Sequence, residues 1–154
     1  MTGWTAVVTA ASGFLIAVLW FDLMFDVQVF RHRRAALVPQ DVLASISAYY
    51  RRVTTTASPM GRLVAIVMLA LFVGLAAQAL QGHVETWVSV VSIAAALLAV
   101  GLAVGRVFGQ ARRLGTAEDP VEIQSELARS ILREHIVCIL GMSVVLATQL
   151  ISTI

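Results

Sequence analysis

Four stretches of this chain carry no charge: Trp4–Phe21, Leu63–Gln81, Thr86–Gly105 and Ile136–Ile154. Each is 18 to 20 residues long, the length of helix that crosses ~30 Å of hydrocarbon at ~1.5 Å per residue. Inside lipid every backbone polar group needs a partner, so only helices and closed barrels span it. These runs are too long for barrel strands. They predict an all-α polytopic membrane protein, an up-down four-helix bundle in a single domain over 1–154. The spans fall at about 4–30, 61–81, 85–110 and 131–153. Composition excludes a soluble domain: 59% of residues are hydrophobic and 13% charged, against about a quarter charged in soluble proteins.

Orientation follows from arginine. The chain has no lysine, and all eleven positive charges are Arg. Six lie in 31–62 (Arg31, Arg33, Arg34, Arg51, Arg52, Arg62) and five in 106–133 (Arg106, Arg112, Arg113, Arg129, Arg133). The connection Gln81–Glu85 and both chain tips hold none. The positive-inside rule makes segments 31–60 and 111–130 cytoplasmic, with both ends and the short turn outside. The basic residues are thus topology signals and not a nucleic-acid surface. Helix 1 has no basic stretch before it, so it does not read as a cleaved signal peptide. Trp4 and Trp87 fall at the outer interface, where aromatic belts sit. An Arg-only, Ala/Val/Leu-rich chain points to a GC-rich bacterial genome, hence to a bacterial inner membrane.

Two further helices are predicted on the cytoplasmic side. Pro39-Gln40-Asp41 reads as a helix start, and Val42, Leu43, Ile46, Tyr49, Tyr50 and Val53 then form one apolar stripe. This is an amphipathic helix, either lying on the membrane or serving as a lid or docking element. Asp119-Pro120 begins another, with Glu118 and Glu122 at its first turn. No breaker follows, so the last helix is expected to run roughly 35 residues, ~50 Å. Gly101, Gly105 and Gly109 make a small-residue stripe for helix packing, within the bundle or in a homo-oligomer, and Ala70 and Gly74 a shorter one. The single cysteine, Cys138, excludes an internal disulfide and reads as a small buried residue.

The most unusual residues are Asp22 and Asp26, set among apolar neighbours in Trp20–Asp26. Four-residue spacing puts both carboxylates on one helix face. A carboxylate in a membrane helix is costly and marks a candidate functional site. Counted from the outer ends of the helices, Asp22, Asp26, Arg62, Arg106, Glu134 and His135 all fall ~27–33 Å down. Each helix therefore brings an ionisable group to one polar layer. Three readings of the layer stand: an ion-pair network in which Arg62, Arg106 or Arg133 neutralises the aspartates; a metal site of Asp22, Asp26 and His135, with Glu134; and a ligand or catalytic pocket in which an Asp or His135 acts as base. Glu134 and His135 diverge by about 100° on a helix, which weakens the metal set. Haem fits poorly, because His83 lies outside while His32 and His135 lie near the inner side.

The order of elements resembles the anthrone-oxygenase-like group of small four-helix bacterial membrane proteins. An opening helix leads into Phe30. A Pro39–Leu43 helix start, Tyr49-Tyr50-Arg51, Ser58-Pro59 and Leu132-Arg133-Glu134-His135 follow across most of the chain. The resemblance implies cofactor-independent oxygenation of a polyketide-like aromatic, or a related membrane-embedded reaction. It lacks the Trp/Asn-rich stretch before the last helix, so no catalytic residue is carried over. The expected role is therefore binding of a small lipophilic ligand or a protein partner through the polar layer. The alternative is a membrane-embedded oxygenase or other redox enzyme, metal-dependent or not, using Asp22, Asp26 and His135.

Overall fold

The computed structural model describes residues 3–56, 58–82 and 84–152, and helix is the only regular structure among them. His83 and Thr153 lie outside the described residues. The helices are α1 (Gly3–Phe30), α2 (Gln40–Arg51), α3 (Ser58–Gln81), α4 (Thr86–Leu102), α5 (Phe108–Thr116) and α6 (Val121–Ile151). Four stretches are long and apolar enough to cross a membrane: Gly3–Phe30, Pro59–Gln81, Thr86–Thr116 and Val121–Ile151. Only 22–39% of the most apolar window of each is buried inside the bundle. Such residues as Ile66, Leu69, Leu97 and Leu140 point outward, which is stable only where the surroundings are themselves apolar.

The third span runs on to Thr116 instead of ending near residue 110. A widened π turn at Ala103–Val107 joins α4 to α5 without breaking the helix. There Ala99 O receives a hydrogen bond from Cys138 Sγ at 3.3 Å as well as one from the Ala103 amide. A second π turn, Arg52–Thr56, follows α2. Its cause is local: the hydroxyls of Thr54, Thr55 and Thr56 each donate to the carbonyl four residues back, pulling on the helical ladder.

Packing makes a ring. α1 lies against α3 and α6, and α4 lies against α6 and α3, so α1 and α4 stand diagonally opposed. The close approaches use small residues. A Cβ at Gly74 would come within 2.7 Å of Val8 Cγ2 on α1, and one at Gly141 within 3.2 Å of Ala95 O on α4. The expected glycine stripe does not pack this way. Gly101, Gly105 and Gly109 are exposed, and a Cβ on any of them would meet nothing within 4 Å. The bundle-facing line of α4 and its continuation is instead Val88, Ser92, Ala96, Ala99, Ala103 and Val107.

Two apolar clusters result. One fills the middle of the bundle around Leu15, Leu71, Leu75, Ala96, Met142 and Val145. The other, at the Arg-rich end, packs Val29, Leu43, Ile46, Leu114 and Ile131 beneath α2. Between them lies a polar site.

Candidate functional site

The core-facing stripe of α1 is Thr5, Val8, Ser12, Leu15, Asp26 and Val29, a repeat of three and four residues. Asp22 falls on the same stripe, which is why both carboxylates turn into the bundle and not toward lipid. On α6 the matching stripe is Ala128, Ile131, His135, Cys138, Met142 and Val145. On α2 it is Leu43, Ile46 and Tyr50. These three stripes meet where Asp22, Asp26, His135, Tyr49 and Tyr50 gather.

Asp26 is the centre. Its side chain is 1% exposed. Oδ2 lies 2.6 Å from His135 Nδ1, and Oδ1 accepts the Tyr50 hydroxyl at 2.7 Å. Asp22, one turn nearer the middle of the bundle, has a side chain 19% exposed. Its Oδ1 accepts the Tyr49 hydroxyl at 2.6 Å, and its Oδ2 stands 3.9 Å from His135 Nε2. The imidazole thus has a carboxylate at each edge, one in hydrogen-bond contact and one beyond it. Phe25 stacks on Tyr49 with ring centres 4.0 Å apart, and the two tyrosine rings meet edge to face. Burial and then the adjacent carboxylates push both phenols well above their ordinary range, so they serve as neutral donors.

This arrangement corrects the expectation of arginine partners. Arg106 pairs with Glu134 at 3.0 Å, its side chain 60% exposed. Arg62 and Arg133 are exposed as well, and among the described residues neither makes an ion pair with an aspartate. A long guanidinium side chain at a helix end reaches water more cheaply than it enters the core. Glu134 and His135 point apart, as adjacent helical residues must. Glu134 turns to Arg106 and Ser130, and His135 to the aspartates.

The metal set fares no better. Among the described residues no three His, Cys, Asp or Glu side chains are placed to hold one ion. Asp22 and Asp26 address opposite edges of the ring, so their oxygens do not converge with one nitrogen lone pair on a common point. His32 lies in the turn after α1, away from this cluster.

A small, partly open cavity of about 60 Å³ lies on the mid-bundle side of the cluster. Its walls are apolar (Leu15, Leu19, Met68, Met142) except where Asp22 and His135 border it. Comparison with protein-family models, characterised proteins and solved structures finds no match for this chain. The site must therefore be read from its own chemistry. An imidazole fixed on its Nδ1 side by a buried carboxylate, on the border of a cavity, with Nε2 outside hydrogen-bond distance of Asp22, is set to hydrogen-bond or exchange a proton with whatever enters.

A second polar layer near the other end of the bundle has no counterpart in the sequence reading. Gln78 Nε2 donates to Thr5 Oγ1 at 3.2 Å and to Gln149 Oε1 at 2.8 Å. Gln149 Nε2 reaches Ser92 Oγ at 3.3 Å, and Ser92 and Thr148 share a hydrogen bond of 2.9 Å. The layer links α1, α3, α4 and α6. The available signal was the adjacent pair Thr148-Gln149 inside a charge-free run.

Proposed function

We propose that this chain is a multi-pass protein of a bacterial inner membrane, an up-down bundle with both ends outside and its Arg-rich segments, including amphipathic helix α2, in the cytoplasm. Its role is to hold a small lipophilic molecule in the cavity beside Asp22 and His135. One observation carries the reading: an apolar cavity is bordered by a carboxylate and an oriented imidazole. Binding sites are mostly apolar with a few placed polar groups, but commonly span ~300–1,000 Å³. A cavity of about 60 Å³ suits the polar end and first carbons of a slender molecule entering from the bilayer, and excludes a bulky ring system unless the helices part.

A diazirine-bearing fatty alcohol, added to the full chain in detergent, tests this. It is expected to label peptides containing Leu15, Met68 or Met142. Met68→Trp, which fills the cavity, should abolish that labelling, and His135→Gln should reduce it. Labelling restricted to outward residues such as Leu69 and Leu140, or unchanged by Met68→Trp, rules the reading out.

A second reading draws on the Asp26–His135 contact. A base oriented this way can remove a proton from a bound substrate, and the resemblance to the anthrone-oxygenase-like group supplies a reaction class, cofactor-independent oxygenation. An anthrone is a ring system that the cavity of about 60 Å³ admits only where the helices part; oxygen uptake by the purified protein with an anthrone as probe, lost in His135→Gln, would favour this reading. Uptake that is absent, or indifferent to His135→Gln, removes it.

A further inference from the structure

A larger concavity than the one beside Asp22 lies elsewhere. A groove of about 740 Å³ runs along α6 at the Arg-rich end, between the end of α1 and α5. Four arginines border it (Arg33, Arg113, Arg129, Arg133), against one carboxylate, Glu126. Arg113 is already held by Asp119 through two bonds of 2.8 Å. Arg129 gives one nitrogen to the carbonyls of Ala35 and Ala36, leaving its buried Nε without a partner among the described residues. Arg33 lies 4.5 Å over the ring of Phe30, and among the described residues neither Arg33 nor Arg133 has a carboxylate partner. The groove therefore carries uncompensated positive charge.

Its order along α6 gives the chemistry of what would fill it. Arg129, Arg133, Ile136 and Leu140 follow at steps of four, three and four, on one helix face. From Arg129 to Ile136 is ~10 Å along the axis. Ile136 and Phe30 continue the groove wall as outward apolar surface, and Leu140 lies beyond. Positive charge passes into lipid-facing hydrocarbon within two turns, the sequence in which a phospholipid presents phosphate and then acyl chains. A free phosphate would use the arginines but not the apolar continuation. We propose that this groove binds an anionic phospholipid, its phosphate between Arg33 and Arg133 and an acyl chain along Ile136. The occupant neutralises charge that the protein leaves unpaired. The site is separate from the Asp22–His135 cavity and stands or falls without it.

The test uses the full chain in neutral detergent, offered phosphatidylglycerol or phosphatidylcholine, with retained lipid read by native mass spectrometry. Phosphatidylglycerol should be retained roughly thirtyfold better, as expected for two interfacial arginines. Arg33→Gln with Arg133→Gln should remove that preference. Arg133→Gln alone should remove about fivefold of it, which keeps the test decisive should the double variant misfold. Arg31→Gln with Arg34→Gln deletes the same charge outside the groove and should leave the preference intact. Equal retention of both lipids overturns the proposal. So does equal loss in both double variants, which would mean diffuse attraction, or displacement by millimolar inorganic phosphate, which would mean a free-anion site.

Discussion

Removing the hydroxyl of Tyr50 asks how much the buried end of the polar cluster contributes. Tyr50→Phe deletes one oxygen and keeps the ring, so its place in the apolar cluster that includes Ile46 and Leu114 is kept. Asp26 Oδ1 then loses its donor at 2.7 Å, in a side chain 1% exposed that water cannot reach. A buried acceptor left unpaired costs ~1–3 kcal/mol, and more where it carries charge. Tyr49→Phe is the internal control. It removes an equally short bond of 2.6 Å, but Asp22 is 19% exposed and can take a water in exchange, so ~0.5–1.5 kcal/mol is expected. For a chain of this length, at about 2–4 °C per kcal/mol, these figures correspond to roughly 2–12 °C for Tyr50→Phe and about 1–6 °C for Tyr49→Phe. Cys138 supplies the assay. It is the single thiol and is buried, so a thiol-reactive fluorogenic dye reports unfolding in detergent directly. A Tyr50→Phe midpoint no lower than that of Tyr49→Phe would refute the reasoning, because burial of the orphaned oxygen would then not be what sets the cost.

Two other outcomes are expected. Gly115→Ala places a Cβ 2.9 Å from the Arg51 amide nitrogen and 3.2 Å from Tyr50 C, backbone that cannot step aside. It should force α2 away at ~1–3 kcal/mol and speed hydrogen exchange across Gln40–Arg51, whereas Gly109→Ala, in open space, should leave that exchange unchanged; equal behaviour of the two would be decisive against close α2–α5 contact. The chain's only tyrosines are Tyr49 and Tyr50, and both phenols are raised by burial and by the carboxylates beside them. The folded protein therefore keeps protons that the unfolded chain gives up, and their stabilisation is complete below about pH 10 and declines above it. Ultraviolet titration should show no tyrosinate until Cys138 becomes reactive, and tyrosinate appearing near pH ~10 in the folded protein would contradict this.

What the sequence disclosed depends on which physical rule was acting. Hydrocarbon excludes charge so strongly that charge-free runs mark the four long helices and fix their ends away from the arginines to within a few residues. Where a helix leaves lipid the rule loses force, and α5 carries Arg112 and Arg113 for two turns past the point where the apolar run stops. Depth counting brought Asp22, Asp26 and His135 to one level, and they do meet. It could not choose partners. Charge arithmetic favoured arginine, but arginine escapes along its own stem, and the nearby phenols, which periodicity counts merely as apolar bulk, supply the hydrogen bonds. The Gln78–Gln149 layer escaped notice for a related reason: glutamine, serine and threonine leave a run uncharged, so their convergence is visible only once four helices are set side by side.

The Tyr49–Asp22 and Tyr50–Asp26 contacts have a mechanical consequence. On α2 the two tyrosines are adjacent, while on α1 their acceptors are ~6 Å apart along the axis. One attachment would be a pivot about which α2 could swing. Two, separated along α1, define a line and fix the angle at which α2 crosses it. Cutting either tether returns the same rotational freedom, so the second cut should cost less than the first, and the pair behaves as one clamp over the imidazole.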